Sequence, residues 1–301
     1  MTLSVAPHTS SDLRIPMVNG ACETAEKSPT GRIFNIQRFS LNDGQGIRTM
    51  VFFKGCPHRC PWCANPESMS PRIQTIKRQA KCLNCRTCLQ DPQECPSGAL
   101  EYVGEDITLP ALMSRLLKDE VFFRSSGGGI TLSGGEVLMQ PVFARELLKE
   151  LQGLGIHTAI ETAGDVPRDH LLSVVEHCDQ VLFDFKIMDA TLARTLLNMN
   201  QPRVLENFQA LTQRDVELLP RVPLIPGYTL TQENLRQILD FLKPFNLNEI
   251  HLLPFHKYGE AKYPLLGKTY SMHKTLVPDA VALAPLRAMA ESDGYTVTMG
   301  G

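Results

Sequence analysis

From about residue 108 onward the chain repeats one pattern: a short apolar run, a small or ionisable residue, then enough sequence for a helix. The apolar runs begin near 130, 156, 181, 216 and 248. An earlier run, Ile47–Lys54 (IRTMVFFK), ends at Gly55. Between the runs, PVFARELLKELQGLG, RDHLLSVVEHC and LTQENLRQILDFLKPF have helical periodicity, the last with Thr231 at the N-cap position. ITLPALMSRLLKDEVFF, most of Ala190–Leu211 and a segment near 279–292 also read as helical. Strand-then-helix repetition needs long crossovers, so it implies a mostly parallel α/β sheet. An open doubly wound sheet and a complete or partial barrel satisfy this pattern equally.

The unusual residues fall where such folds bind ligands. Cys56 follows the first strand, and Ser133-Gly134-Gly135-Glu136 ends the next. Glu161-Thr162-Ala163-Gly164, Asp184-Phe185-Lys186, Arg221 to Gly227 and His251 to His256 end the others. Carboxyl ends of parallel strands form the ligand face of βα proteins. One shared site at that face is therefore expected.

Composition narrows the class. With 43% hydrophobic and 21% charged residues the chain reads as folded and globular. A formal charge of -2 gives no bulk attraction to nucleic acid. No apolar stretch approaches the length of a spanning helix, and the first twenty residues lack a secretory signature, so a cytoplasmic protein without membrane partners is expected.

Cysteine placement is more informative. Of nine cysteines, seven lie between Cys56 and Cys95, whereas a disulfide scaffold spreads them through a short secreted chain. They form two sets. Cys82, Cys85, Cys88 and Cys95, the last followed by Pro96, make a complete four-thiolate group of ferredoxin type. A structural zinc is the alternative for that group. Cys56, Cys60 and Cys63 stop one short, which suits a cluster with one open iron. Cys22 lies in an irregular extension, and Cys178, among apolar neighbours, reads as a small buried hydrophobe.

The triplet, with Trp62 before its last cysteine, resembles the motif of radical S-adenosylmethionine enzymes. Asp43-Gly44-Gln45-Gly46-Ile47-Arg48, then "FFKGC", "CANPES", "SGGE", "DFK", "RVPLIPG" and "HLLPFHKYG", resemble one branch, the glycyl-radical enzyme activating enzymes. The resemblance runs from about residue 32 to near the C-terminus. It implies a partial (β/α)6 TIM-type barrel over 31–63 and 106–301, a ferredoxin-like insert over 64–105 with one [4Fe-4S] cluster, and an irregular extension over 1–30.

It also implies chemistry. Cys56, Cys60 and Cys63 would hold a second [4Fe-4S] cluster whose open iron binds S-adenosylmethionine. Reductive cleavage would give methionine and a 5′-deoxyadenosyl radical, which takes hydrogen from a backbone glycine of a partner glycyl-radical enzyme. Trp62, Ser133, Gly134, Gly135, Glu136, Glu161, Thr162, Asp184, Lys186, Arg221 and His256 are implied around the cofactor. A monovalent cation would sit near Glu161 and Asp184, with Thr162 beside it. Asp43 and Gly44 would meet the partner's peptide, and Gln45 stands where the family usually has proline. His251, inside a strand, reads as a core histidine. An electron donor such as flavodoxin or ferredoxin and a monomeric state are implied as well. The alternatives are a radical S-adenosylmethionine enzyme acting on a small molecule and a two-cluster electron carrier.

Overall fold

The computed structural model describes residues 28–41, 43–85, 88 and 91–300. Cys22 and most of the N-terminal extension lie outside the described residues. The described residues form eleven strands: β1 (Thr30–Ser40), β2 (Arg48–Phe53), β3 (Gln74–Lys77), β4 (Leu100–Val103), β5 (Glu105–Thr108), β6 (Gly129–Gly134), β7 (His157–Thr162), β8 (Gln180–Asp184), β9 (Glu217–Leu224), β10 (Glu249–Pro254) and β11 (Thr296–Met299).

Nine of them form one sheet in the order β11-β10-β9-β8-β7-β6-β2-β1-β5. From β2 through β6 to β11 every neighbouring pair is parallel. These strands follow one another in chain order without reversal. A doubly wound sheet reverses at its switch point, so the winding is that of a barrel wall. The wall is open: β11 lies at one edge of the sheet and β5 at the other. β1 and β5 continue it antiparallel beyond β2.

Side-chain alternation separates the two faces of this wall. Outward residues such as Ile130, Leu132, Val181, Phe183, Val222, Leu224, Ile250 and Leu252 join the main apolar core. The helix Pro141–Gly153 covers it with Phe143, Leu147, Leu148 and Leu151. Inward residues are largely polar: Thr131 and Ser133 on β6, Glu161 on β7, Gln180 and Asp184 on β8, Glu217 and Arg221 on β9. The interior is therefore a polar chamber, unlike the packed apolar layers of a closed barrel.

Three segments depart from the sequence reading. Ile107 and Thr108, expected at the start of a helix, end β5, and the helix begins at Leu109 with Pro110 in its first turn. YTVTMG, placed only as the sequence after the final helix, supplies β11. β3 and β4 pair antiparallel, Gln74 with Val103 and Lys77 with Leu100, and so close off the segment holding the second cysteine set. Among the described residues no helix is long and apolar enough to cross a membrane.

Candidate functional site

Cys56, Cys60 and Cys63 sit in the loop that leaves β2. The Arg59 amide donates to Leu197 O (3.0 Å), Asn198 Nδ2 to Pro57 O (3.0 Å), and the Tyr263 hydroxyl to Cys63 O (3.0 Å). Gly135 and Glu136 amides donate to Phe53 O and Gly55 O, both at 2.9 Å. A Cβ on Gly135 would meet Gly55 O at 2.3 Å, so only glycine lets these two backbones approach. Gly135, implied around the cofactor by the resemblance, thus also brings the cysteine loop close to the end of β6.

The three thiols line one cavity of about 200 Å³ together with Trp62, Ser133–Glu136, Glu161, Thr162, Asp184 and Lys186. Burial pushes the Cys60 thiol up to about 12 and raises Cys56 and Cys63 as well. Such thiols ionise when a metal centre supplies the compensating charge. Lys186 opposes the shift at Cys60 and Cys63, placing a cation beside two of the three sulfurs. A set of three thiols and one ammonium around a closed-in space fits an anionic cluster with one iron left open.

Behind the thiols the charged residues interlock. Arg221 donates through Nε to Asp184 Oδ1 (2.9 Å) and through Nη1 to Glu161 Oε1 (2.7 Å). Lys186 Nζ donates to Asp184 Oδ2 (2.9 Å), and Ser133 donates to Glu161 Oε2. Burial pulls the Asp184 carboxyl up, but Arg221 and Lys186 outweigh it and hold the group below the usual carboxylate range. At Glu161 burial wins over Arg221 and the carboxyl is raised, with Asp43 and Asp184 adding to the rise. Arg221 thus spends its donors on two carboxylates, as a positioning residue, and Lys186 is the cation nearer the sulfurs.

The other expected residues divide. Glu136 borders the cavity, yet its carboxylate accepts from Thr162 Oγ1 (2.8 Å), Ala163 N (3.1 Å) and Leu138 N (3.2 Å), which fixes the end of β7. Burial raises its carboxyl. Trp62 packs against Tyr228 at 5.3 Å between ring centroids and walls both this cavity and an adjoining one of about 170 Å³. His256 lines that second cavity, stacks on Tyr258 at 4.1 Å, and is held below the usual imidazole range by burial. His251 Nε2 donates to Glu249 Oε1 at 3.0 Å, and the ring faces the interior. Asp43 accepts from Ser40 through its carboxylate and from Thr131 Oγ1 through its carbonyl (2.9 Å), and Gly44 lines a larger cavity of about 880 Å³.

Sequence reasoning missed His58. Its ring lies between Cys56 Sγ (3.7 Å from Nδ1) and Asp165 Oδ2 (3.2 Å from Nε2), and Asp165 also accepts from Arg203 Nε (2.7 Å) and Asn200 N (2.9 Å). Its place between Cys56 and Cys60 was the available signal. Cys178 is buried and donates toward Gln180 O at 3.0 Å, as its apolar setting implied.

The second cysteine set lies on the surface between β3 and β4. Lys77 Nζ stands 3.5 Å from Cys88 Sγ and is raised by hydrogen bonds to Cys82 and Cys88. The Leu100 amide, with Ser97, lowers the Cys95 thiol to about 7. Donors aimed at sulfur favour the thiolate form that metal binding needs.

Residues 50–242 match the family model of the radical SAM superfamily. The chain is 59% identical over 283 residues to the pyruvate formate-lyase 2-activating enzyme of Escherichia coli K12, covering 93% of this chain and 97% of that one. This chain belongs to the radical SAM superfamily, in the branch of glycyl-radical enzyme activating enzymes. It is also 32% identical to the trans-4-hydroxy-L-proline dehydratase activating enzyme of Clostridioides difficile, over 89% of this chain and 99% of the relative. A radical SAM methyltransferase from Sphaerobacter thermophilus shares the fold alone, with TM-score 0.54 and 11% identity over 89% of this chain and 76% of that structure. Activation of a glycyl-radical partner is the function of this family, which replaces the small-molecule and electron-carrier alternatives. A [4Fe-4S] cluster and S-adenosylmethionine go with that membership.

Proposed function

We propose that this activating enzyme serves a pyruvate formate-lyase-like partner, and that its cavity at the carboxyl ends of β2 and β6–β8 is the cofactor site. The convergence of Cys56, Cys60, Cys63, Ser133, Glu161, Asp184 and Lys186 on that one space supports the reading. When bound, the cluster and S-adenosylmethionine supply a 5′-deoxyadenosyl radical that takes hydrogen from the partner's glycine. The protein's own contribution is geometry and charge. The three thiols hold the cluster, and the Lys186 ammonium offsets its negative charge. The Ser133–Gly135 edge and the Glu161–Arg221–Asp184 frame receive the amino-acid end of S-adenosylmethionine. Trp62 and His256 wall the nucleoside side.

The surface set Cys82, Cys85, Cys88 and Cys95 holds a second [4Fe-4S] cluster in this reading and takes electrons from a flavodoxin or ferredoxin. Its exposure suits contact with such a donor. Glu161 and Asp184 can admit a monovalent cation, but Arg221 and Lys186 already neutralise them, so that ion would be weakly held. A monomer working in an oxygen-free cytoplasm completes the proposal.

The deciding experiment mixes the reconstituted enzyme, dithionite and S-adenosylmethionine with E. coli pyruvate formate-lyase 2. A glycyl-radical signal in electron paramagnetic resonance is expected, and its absence would sink the partner assignment. Iron content tests the clusters separately: about eight atoms per chain are expected, falling to about four when Cys82, Cys85, Cys88 and Cys95 become alanine. That variant should still cleave S-adenosylmethionine with dithionite, whereas alanine at Cys56, Cys60 and Cys63 should abolish cleavage.

A further inference from the structure

Gln180 opens β8 and points into the cavity of about 880 Å³ that also takes in Gly44, Gln45 and Glu217 and reaches the surface past Tyr258. The residue is 3% exposed. Its Nε2 donates to Glu217 Oε1 at 2.9 Å. A carboxylate only accepts, so this bond decides which end of the amide is nitrogen and which is oxygen. The oxygen, Oε1, is fully buried and accepts no hydrogen bond from the described residues.

Its neighbour identifies what the oxygen faces. A Cβ built on Gly44 would lie 3.1 Å from Gln180 Oε1 and 3.1 Å from Arg48 Nε. The unused acceptor therefore stands directly against the Asp43–Gly44 loop, where φ of Gly44 is +118°. Along β8 it is four residues, roughly 13 Å, from Asp184 on the same inward row. A chain entering by the large cavity and reaching toward the cysteines passes beside it, and a small shift of the Asp43–Gly44 loop uncovers the oxygen. Such a chain, if it is a peptide, brings backbone N–H groups that need acceptors once they leave water.

We infer that Gln180 Oε1 accepts a backbone N–H of the partner's glycine-bearing loop, with Glu217 as the positioning residue that keeps the amide this way round. The inference rests on the glycyl-radical reading of the site. It gives the peptide a specific contact on β8, opposite the Asp43–Gly44 loop; glycine at 44, which its φ of +118° already favours, also keeps a Cβ from crowding that oxygen.

The test is a coupling measurement on the reconstituted holoenzyme with S-adenosylmethionine bound. The probe is a synthetic peptide spanning the reactive glycine of E. coli pyruvate formate-lyase 2, with each backbone N–H in turn replaced by N–CH3. Binding is read by fluorescence anisotropy for wild type and for Gln180→Met, which keeps the length and removes the acceptor. One N-methyl position should weaken wild-type binding about tenfold and have no further effect in Gln180→Met. Damage to the fold would weaken all peptides alike and leave no coupling at any position. Absence of coupling, in a wild-type enzyme that binds the peptide and forms the glycyl radical, overturns the Gln180 assignment alone. A wild type that does neither overturns the assignment together with the reading beneath it. Glu217→Gln supplies the second arm, since it lets the amide turn over: the same N-methyl position should have a smaller effect there.

Discussion

Two arginines lie buried in the same polar chamber, and they are solvated in opposite ways. Arg221, near the cysteines, is bracketed by Glu161 and Asp184. Arg48, at the other end of the wall, is held by neutral groups: Thr131 Oγ1 (2.6 Å), Ile130 O (2.8 Å), Gln45 O (3.3 Å) and His157 Nδ1 (3.2 Å). Burial lowers the Arg48 guanidinium to about 10, with only partial relief from Cys178 and Asp43. At Arg221 burial pulls the same way, but Asp184 and Glu161 overcome it and push the guanidinium above its ordinary value. In the proposed reading, the buried cation matched with carboxylates stands where the charged cofactor binds. One matched with carbonyls and a hydroxyl ties down backbone, here the loop from Asp43 to Gly46.

The contrast can be broken by substitution. Arg221→Met strands two buried carboxylates and should lower stability by about 3–5 kcal/mol in chemical denaturation. Asp184→Asn in that background should restore some of the loss by removing one uncompensated charge. Arg48→Met leaves carbonyls short of a donor but also relieves the burial of a charge, so its loss should be smaller, about 1–3 kcal/mol. Equal losses for the two arginines would remove the distinction drawn between them. The functional readouts should differ too: Arg48→Met should impair radical transfer to the partner more than uncoupled S-adenosylmethionine cleavage, because its loop lies away from the cysteines.

A smaller effect is expected in the pH dependence. Burial, with Arg48 alongside, holds His157 below the ordinary imidazole value of 6.5, against the pull of Asp179. The unfolded chain therefore takes up the proton first. The associated stability is complete above pH 6.5 and is lost as pH falls through 6.5 toward the folded-state value. Melting temperature should drop between pH 7.5 and 5.5, and His157→Gln should shrink that drop. Arg48→Met should shrink it as well, through loss of one repelling charge, and a drop unchanged by both would detach His157 from the arginine.

What the sequence disclosed and what it hid follow from how far each interaction reaches. The cysteine sets stood out because their members are neighbours in the chain, and Cys56, Cys60 and Cys63 do line one cavity. The parallel strands were legible because apolar runs recur between helices. Thr231 was placed at its N-cap, and its side chain accepts from the Asn234 amide. β11 escaped notice because four alternating residues near the C-terminus gain their meaning only from β10 beside them. Ile107 and Thr108 continued a helical pattern, but pairing of Gly31 and Thr30 across from them won. In the site, Asp184 and Lys186 are two residues apart in the chain, the second just past the end of β8, so their approach is local. The Arg221 bridge to Glu161 spans sixty residues, and the orphan acceptor of Gln180 depends on Glu217, which lies on another strand. No local spacing records either one.

The open wall has a mechanical consequence. In a closed barrel, a polypeptide entering from the side must pry neighbouring strands apart, giving up a row of backbone hydrogen bonds worth about 1 kcal/mol each. Here β11 and β5 never meet, and the large chamber already reaches the surface beside Tyr258 and Gly300. Threading a foreign backbone into the interior can leave every strand pairing intact. The enzyme can admit and release the same segment repeatedly with its strand pairing undisturbed.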